Sequence, residues 1–283
     1  MLARLQDLGH TPGCRPVAGI ALPLLGTVER TNGIAVELHG VRKSLGGKPV
    51  IKGVSCVVPP GSITALIGPS GAGKTTLMRL LLGVTQPDSG RVIVDGEDIT
   101  KLSIDALNAV RSQVGVLIEG PGALFSSMTV FDNVAFPLRQ VRHLSEPAVE
   151  AEAMRLLDEV GLGNDAAKMP DQLSFGMRVR AAYARAMAME PRMLIFDSPD
   201  YGMDAVRLTL LFQLLAHANA TRGCTALVLT HDIKAVFPHA RHAILLRDGE
   251  VIEQGSPAEL QRSSSAFTQQ FIHGLMAGPM KME

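Results

Sequence analysis

The chain of 283 residues carries Lys plus Arg and Asp plus Glu in equal number, 27 each, so no basic surplus marks a nucleic-acid or anionic-membrane surface. Its length suffices for a full hydrophobic core, in one compact unit with a short appendage at each end. Cys14, Cys56 and Cys224 stand far apart with no C-x-x-C pair, which argues against a disulfide framework or a zinc site and fits a reducing cytosol; no apolar run reaches the roughly 18 to 20 residues of a membrane span.

Residues 1–33 are predicted to form a disordered extension. Val17 to Leu25 is apolar and follows arginines, as in the front half of an export signal, but Pro12, Gly13, Pro16, Gly19 and Pro23 interrupt the pattern and no cleavage site follows. From Ile34 the alternation IAVELHGV and PVIKGVSCVV predicts strands with one buried face. Ile63 to Ile67 is continuously apolar, a strand buried on both sides, and it runs directly into GPSGAGKTT. Apolar residues on helical spacing follow from Leu77 to Leu82; after the turn QPDSG the chain returns as the strand RVIVDG.

VGVLI is a further buried strand, and the glycine- and proline-bearing segment EGPGALFSSM after it must be irregular. Helices are predicted over Val130 to Arg139, Pro147 to Val160 and, opened by Ser174, Gly176 to Met189, with Pro191 ending the last. The strands MLIFD and CTALVLT flank a helix over Asp204 to Thr221; AILLRDGEVIEQG reads as a hairpin and Pro257 to Leu260 as a short helix. Alternating strands and helices imply an α/β fold around a mainly parallel sheet.

Gly68 to Thr75 spells G-x-x-x-x-G-K-T between a predicted buried strand and a helix, the context in which this pattern binds phosphate. Gly68, Pro69, Ser70, Gly71, Ala72 and Gly73 would turn main-chain N–H groups around phosphate oxygens, with the helix start at Lys74, Thr75 and Thr76 adding favourable partial charge. Lys74 would reach the β- and γ-phosphates and Thr75 would offer its hydroxyl to Mg²⁺. Asp197, ending the strand MLIFD, is the matching candidate for the metal. ATP or GTP binding is the expectation.

From Ile34 to about Ser256 the residues resemble an ABC ATPase of the P-loop NTPase class. The motifs are GPSGAGKTT, the signature-like LSFGM at Leu173 to Met177, MLIFD, YGMD ending at Asp204, and LTHD with a switch-like His231, all in the family's order. The resemblance implies an antiparallel β subdomain and a helical subdomain, about 120–190, beside the parallel core. It implies MgATP sandwiched between one subunit's P-loop and the signature of a second ATPase subunit, identical or related, with Ser174 and Gly176 facing the γ-phosphate. A transmembrane permease would anchor the assembly, peripherally, at the cytoplasmic face of the inner membrane. ALFSSMTVFDNVAFPLR, Met177 and the tail FTQQFIHGLMAGP are similar to the ATPases of MCE-type phospholipid transport such as the Mla system. That likeness adds an MCE-type lipid-binding protein as a partner and a role for the tail, Phe267 to Gly278 within 257–283, in holding two ATPase subunits together.

Four positions depart from the family's pattern. Ser198 stands where the family has the catalytic glutamate, and a hydroxyl cannot take a proton from water at neutral pH. Glu119 stands in place of the Q-loop glutamine, and a carboxylate is itself a good Mg²⁺ ligand. Phe175 replaces the first signature glycine, and Leu45 replaces the aromatic that stacks on adenine. Two readings follow: a degenerate subunit that pairs with a competent relative, or slow turnover in a homodimer with Glu119 or Asp200 supplying the carboxylate. A soluble ABC ATPase outside transport and a non-hydrolysing nucleotide sensor are the alternatives of other classes. Phe125, Met128 and Phe131 border the groove where a permease would dock, unless they pack internally.

Overall fold

The computed structural model describes residues 32–118 and 124–280. The expected N-terminal extension therefore falls almost wholly outside the described residues, as do Cys14 and Glu119. The packed body reaches back to Gly33, where an added Cβ would stand 2.3 Å from Gly61 N.

The opening alternation becomes β1 (Val36–Leu45) and β2 (Lys48–Val58), an antiparallel pair. With β4 (Ser89–Val94) and the short β5 (Glu97–Asp98) they form a four-stranded antiparallel sheet in the order β2-β1-β4-β5. A second, six-stranded sheet runs β10-β9-β3-β8-β7-β6. Its strands β9 (His242–Arg247), β3 (Ile63–Ile67), β8 (Thr225–Thr230), β7 (Met193–Asp197) and β6 (Val114–Leu117) are parallel, and only the edge strand β10 (Glu250–Gly255) is antiparallel.

Because successive side chains on a strand point to opposite faces, each central strand feeds two cores. Ala65, Phe196, Val228 and Leu245 enter one cluster; Leu66, Ile195, Leu227 and Leu246 enter the other. The first cluster packs beneath α3 (Val130–Gln140), α4 (Glu146–Glu159), α5 (Phe175–Met187) and α6 (Ala205–Arg222). The second lies between the six-stranded sheet, α1 (Lys74–Leu81) and the antiparallel sheet. Burial on both faces is why these strands read as unbroken apolar runs. Among the described residues no helix is long and apolar enough to cross a membrane.

Local chemistry sets the helix boundaries. Ser174 Oγ accepts from Met177 N at 3.3 Å and opens α5, whereas Gly223 at φ 66° closes α6. Helix α5 stops at Met187, two residues short of the sequence expectation, because Pro191 disfavours helical backbone at Glu190, which adopts φ 50°. The segment 104–111, not anticipated as a helix, forms α2 (Ile104–Arg111) behind the cap Ser103.

Asn133 is fully buried in α3 and organises the irregular segment before that helix. It accepts from Phe125 N at 2.8 Å, and its amide donates to the carbonyls of Phe125, Met128 and Thr129 at 3.1, 3.2 and 2.9 Å. Replacing it by leucine strands several part-buried main-chain groups, so Asn133→Leu is expected to lower unfolding free energy in urea by about 2 to 3 kcal/mol. The exposed Ser126→Ala should move it by less than about 0.5 kcal/mol.

The chain end folds back on its own body through α8 (Pro257–Gln261) and α9 (Ala266–His273). Glu253 of β10 accepts from Ser263 Oγ at 2.7 Å and Thr268 Oγ1 at 2.8 Å, and the Arg247 guanidinium lies 4.3 Å over the Phe267 ring. Gln270 and Met280 exchange hydrogen bonds of 3.0 and 2.6 Å, which holds the residues beyond α9 against it.

Candidate functional site

Strand order assembles the site. β8 lies between β3 and β7, with Ile67 opposite Thr230 and Leu229 opposite Asp197, so Gly68, His231 and Ser198 all emerge from one carboxyl edge of the sheet. In open α/β sheets this edge is where ligands bind. The loop 68–73 leaves β3 there and enters α1 at Lys74, with Gly73 at the N-cap and no side chain bonded to the cap.

The loop is wedged against β2 and β9. Added Cβ atoms would stand 2.0 Å from Leu246 O at Gly68 and 2.8 Å from Ile51 Cδ1 at Gly73. Beside it opens a groove of about 410 Å³, lined by Val50, the run Ser70 to Thr76, Ser198 and His231.

Lys74 is 7 % exposed, and its Nζ donates to Gly68 O at 2.8 Å and Pro69 O at 3.0 Å. Burial pulls its pKa down to about 8, a shift partly opposed by the charges of Asp197 and Asp200. A cation held on neutral carbonyls in a desolvated loop is a strong attractor for an anion. His231 Nδ1 lies 3.0 Å from Gly68 O and must carry the hydrogen to donate there, so Nε2 of the neutral ring is the acceptor. With that tautomer the 3.5 Å approach of Lys74 Nζ to Nδ1 sets two donors side by side.

Thr75 Oγ1 lies 3.3 and 3.4 Å from the two carboxylate oxygens of Asp197, which is buried at the end of β7. A hydroxyl and a carboxylate converging beside the loop are hard oxygen donors of the kind Mg²⁺ takes. These residues therefore fit a magnesium-bound triphosphate. Bound there, the metal would neutralise charge on the phosphate oxygens.

Ser198 takes φ 50°, its N–H donates to Leu229 O at 2.8 Å, and its Oγ lies 3.4 Å from Asp197 Oδ1. The group at the edge of the groove is thus a donor turned toward a carboxylate. Asp200 Oδ1 accepts from Thr230 Oγ1 at 2.7 Å, tying the turn after β7 to the residue before His231.

Ser174 and Gly176 do not join this groove within the chain. They line a separate hollow with Met203, Arg207 and Leu210, and the Arg207 side chain covers Gly176 closely enough that a Cβ would meet its Cδ at 2.7 Å. Leu45, at the end of β1, is 45 % exposed and outside the groove lining. Val50, which the sequence reading did not select, enters the groove from β2; its place in the PVIKGVSCVV alternation marks it only as a strand residue.

A glycine loop between a buried strand and a helix, with an aspartate closing a nearby strand and a histidine closing the strand between them, defines a P-loop nucleotide-binding protein of the ABC ATPase fold. The chain belongs to the ABC transporter family, whose model matches residues 51–201. That family binds ATP with Mg²⁺. The chain is 40% identical over 245 residues, 87% of its length and 91% of the relative's, to the intermembrane phospholipid transport system ATP-binding protein MlaF of Escherichia coli. It is 36% identical over 279 residues, 99% of its length and 76% of the relative's, to the probable ribonucleotide transport ATP-binding protein mkl of Mycobacterium bovis. Among solved structures, CbiO1 of Clostridium perfringens, part of an ABC transporter complex, superposes with TM-score 0.74 at 28% identity, covering 83% of this chain and 93% of the other. A dimeric ATP-binding cassette in a post-hydrolysis state with ADP and Pi gives TM-score 0.71 at 29% identity, covering 78% and 98%.

Proposed function

We propose that this chain is the ATP-binding subunit of a phospholipid-transporting ABC system of the MCE type, and that its own site binds MgATP far better than it hydrolyses it. One observation supports the proposal: Lys74 is held on the glycine loop and Thr75 meets Asp197 beside it, while the residue next to Asp197 is Ser198, whose hydroxyl offers no carboxylate base. In this reading Lys74 leaves the carbonyls of Gly68 and Pro69 for the β- and γ-phosphates, and His231 presents Nε2 toward the γ-phosphate. Leu45 and Val50 cover the base by apolar contact. Ser174 and Gly176 serve the nucleotide of a second ATPase subunit, whose signature closes the groove here in return. Glu119 joins the magnesium site from the segment after β6. The subunit pair sits on a permease at the cytoplasmic face of the inner membrane, beside an MCE-type lipid-binding protein. The lipid cargo is supported by the likeness to MlaF.

Calorimetry with magnesium and ATP tests nucleotide binding, and its pH dependence is specific. Lys74 must be charged to hold the phosphates, and its pKa near 8 without nucleotide leaves it largely neutral at pH 9. Affinity should therefore weaken about tenfold from pH 7 to pH 9. Lys74→Arg, charged throughout, should flatten that slope. Absence of any magnesium-dependent ATP uptake would remove the proposal altogether.

The tail is proposed to contact the second ATPase subunit. Leu275 and Met276 are 50 % and 77 % exposed just past α9. Replacing both by serine should weaken dimerisation at least tenfold in sedimentation, with the melting temperature of the monomer held within about 2 °C, because neither residue packs in the core.

A further inference from the structure

Phe175 is the departure whose consequence the fold reveals. Aromatic bulk at the first turn of the signature helix would obstruct a second subunit's nucleotide if it pointed outward. Instead its ring is half-buried against the main core and lies over Gly202, where an added Cβ would be 3.3 Å from two ring carbons. The same ring borders a hollow shared with Leu117 and Ile118 at the end of β6, and with Asp197, Ser198, Pro199 and Tyr201. The Arg178 guanidinium stands 5.8 Å from the ring centroid. Gly202 has φ 70°, a conformation in which a side chain is strained, and it belongs to the turn closed by Tyr201 N on Ser198 O and Met203 N on Asp200 O.

We propose that Phe175 is a positioning residue: by lying on Gly202 of its own subunit, it ties the signature helix to the turn after β7 and leaves the Ser174 end of α5 presented to the second subunit's nucleotide. The inference rests on the proposed role of the signature. A ring occupies the signature position, and the glycine of the turn leaves room for it. The helical layer and the turn bearing Ser198 are thereby joined by apolar contact, so displacement of one moves the other.

Two measurements decide it. In a Ser198→Glu background, used to supply measurable turnover, Gly202→Leu places a side chain where the ring lies, because even a Cβ there stands 3.3 Å from it, and should lower maximal turnover at least tenfold while ATP affinity changes less than twofold. Phe175→Gly in the same background should cost a similar factor, and the two substitutions together little more than either alone, because both break one contact. Equal damage with and without the ring overturns the proposal. Independently of turnover, Phe175→Gly alone should speed hydrogen exchange at the Tyr201 and Met203 amides at least tenfold; unchanged exchange also overturns it. A Ser198→Glu protein that binds MgATP without turning it over would instead defeat the account of Ser198, and the exchange measurement would still judge the latch.

Discussion

Ser198→Glu is expected to raise steady-state ATP turnover by the purified chain about 10²- to 10⁴-fold, the range over which a positioned general base usually acts. The substituted side chain would stand beside the groove that holds Lys74 and Thr75, next to Asp197, on the strand edge where the nucleotide is proposed to lie. Its backbone is at φ 50° with serine already, so glutamate adds no new class of strain. The hydroxyl now present cannot replace a carboxylate as base, since it would have to bind a proton at neutral pH. Asp200 Oδ1 is already engaged within the fold, accepting from Thr230 Oγ1 at 2.7 Å. Phosphate release at saturating MgATP measures the effect. Fast wild-type turnover that Ser198→Glu leaves unchanged would refute the idea, and loss of that turnover in Glu119→Gln would assign the work to the other carboxylate.

Much of this architecture is legible in one sequence for identifiable reasons. Strands buried on two faces must be apolar throughout, so ITALI and MLIFD announce themselves, and the glycines between Ile67 and Lys74 have few uses other than wrapping phosphate. The cap Ser174 and the breaker Pro191 bracket α5 to within two residues. Less legible features depend on contacts distant in sequence. Helix α2 has a cap at Ser103 but only Leu107 buried, so its periodic signal is weak. Val50 reaches the groove because β2 passes alongside the loop, and nothing local to PVIKGV encodes that approach. The Phe175 ring meets Gly202, 27 positions later in the numbering, a pairing visible only once α5 and the turn after β7 are brought together.

The glycines of the phosphate loop are not equivalent, and their substitution should separate main-chain collision from conformational strain. At Gly68 an added Cβ meets a main-chain carbonyl oxygen, Leu246 O, at 2.0 Å, and Leu246 is itself held in register with Val251 across the β9–β10 pair. The loop would have to shift, and with it Gly68 O, which positions both Lys74 Nζ and His231 Nδ1. Gly71, at φ 76°, has nothing within 4 Å of its added Cβ, so alanine there costs only the left-handed conformation, about 1 kcal/mol. Gly68→Ala is therefore expected to weaken MgATP binding more than a hundredfold and to lower the melting temperature, whereas Gly71→Ala should stay within about tenfold of the parent. Calorimetry paired with thermal denaturation distinguishes a misplaced loop from a lost fold. Equal losses at the two positions would mean that backbone strain alone governs the site, and that the carbonyl of Gly68 does not orient the lysine and histidine.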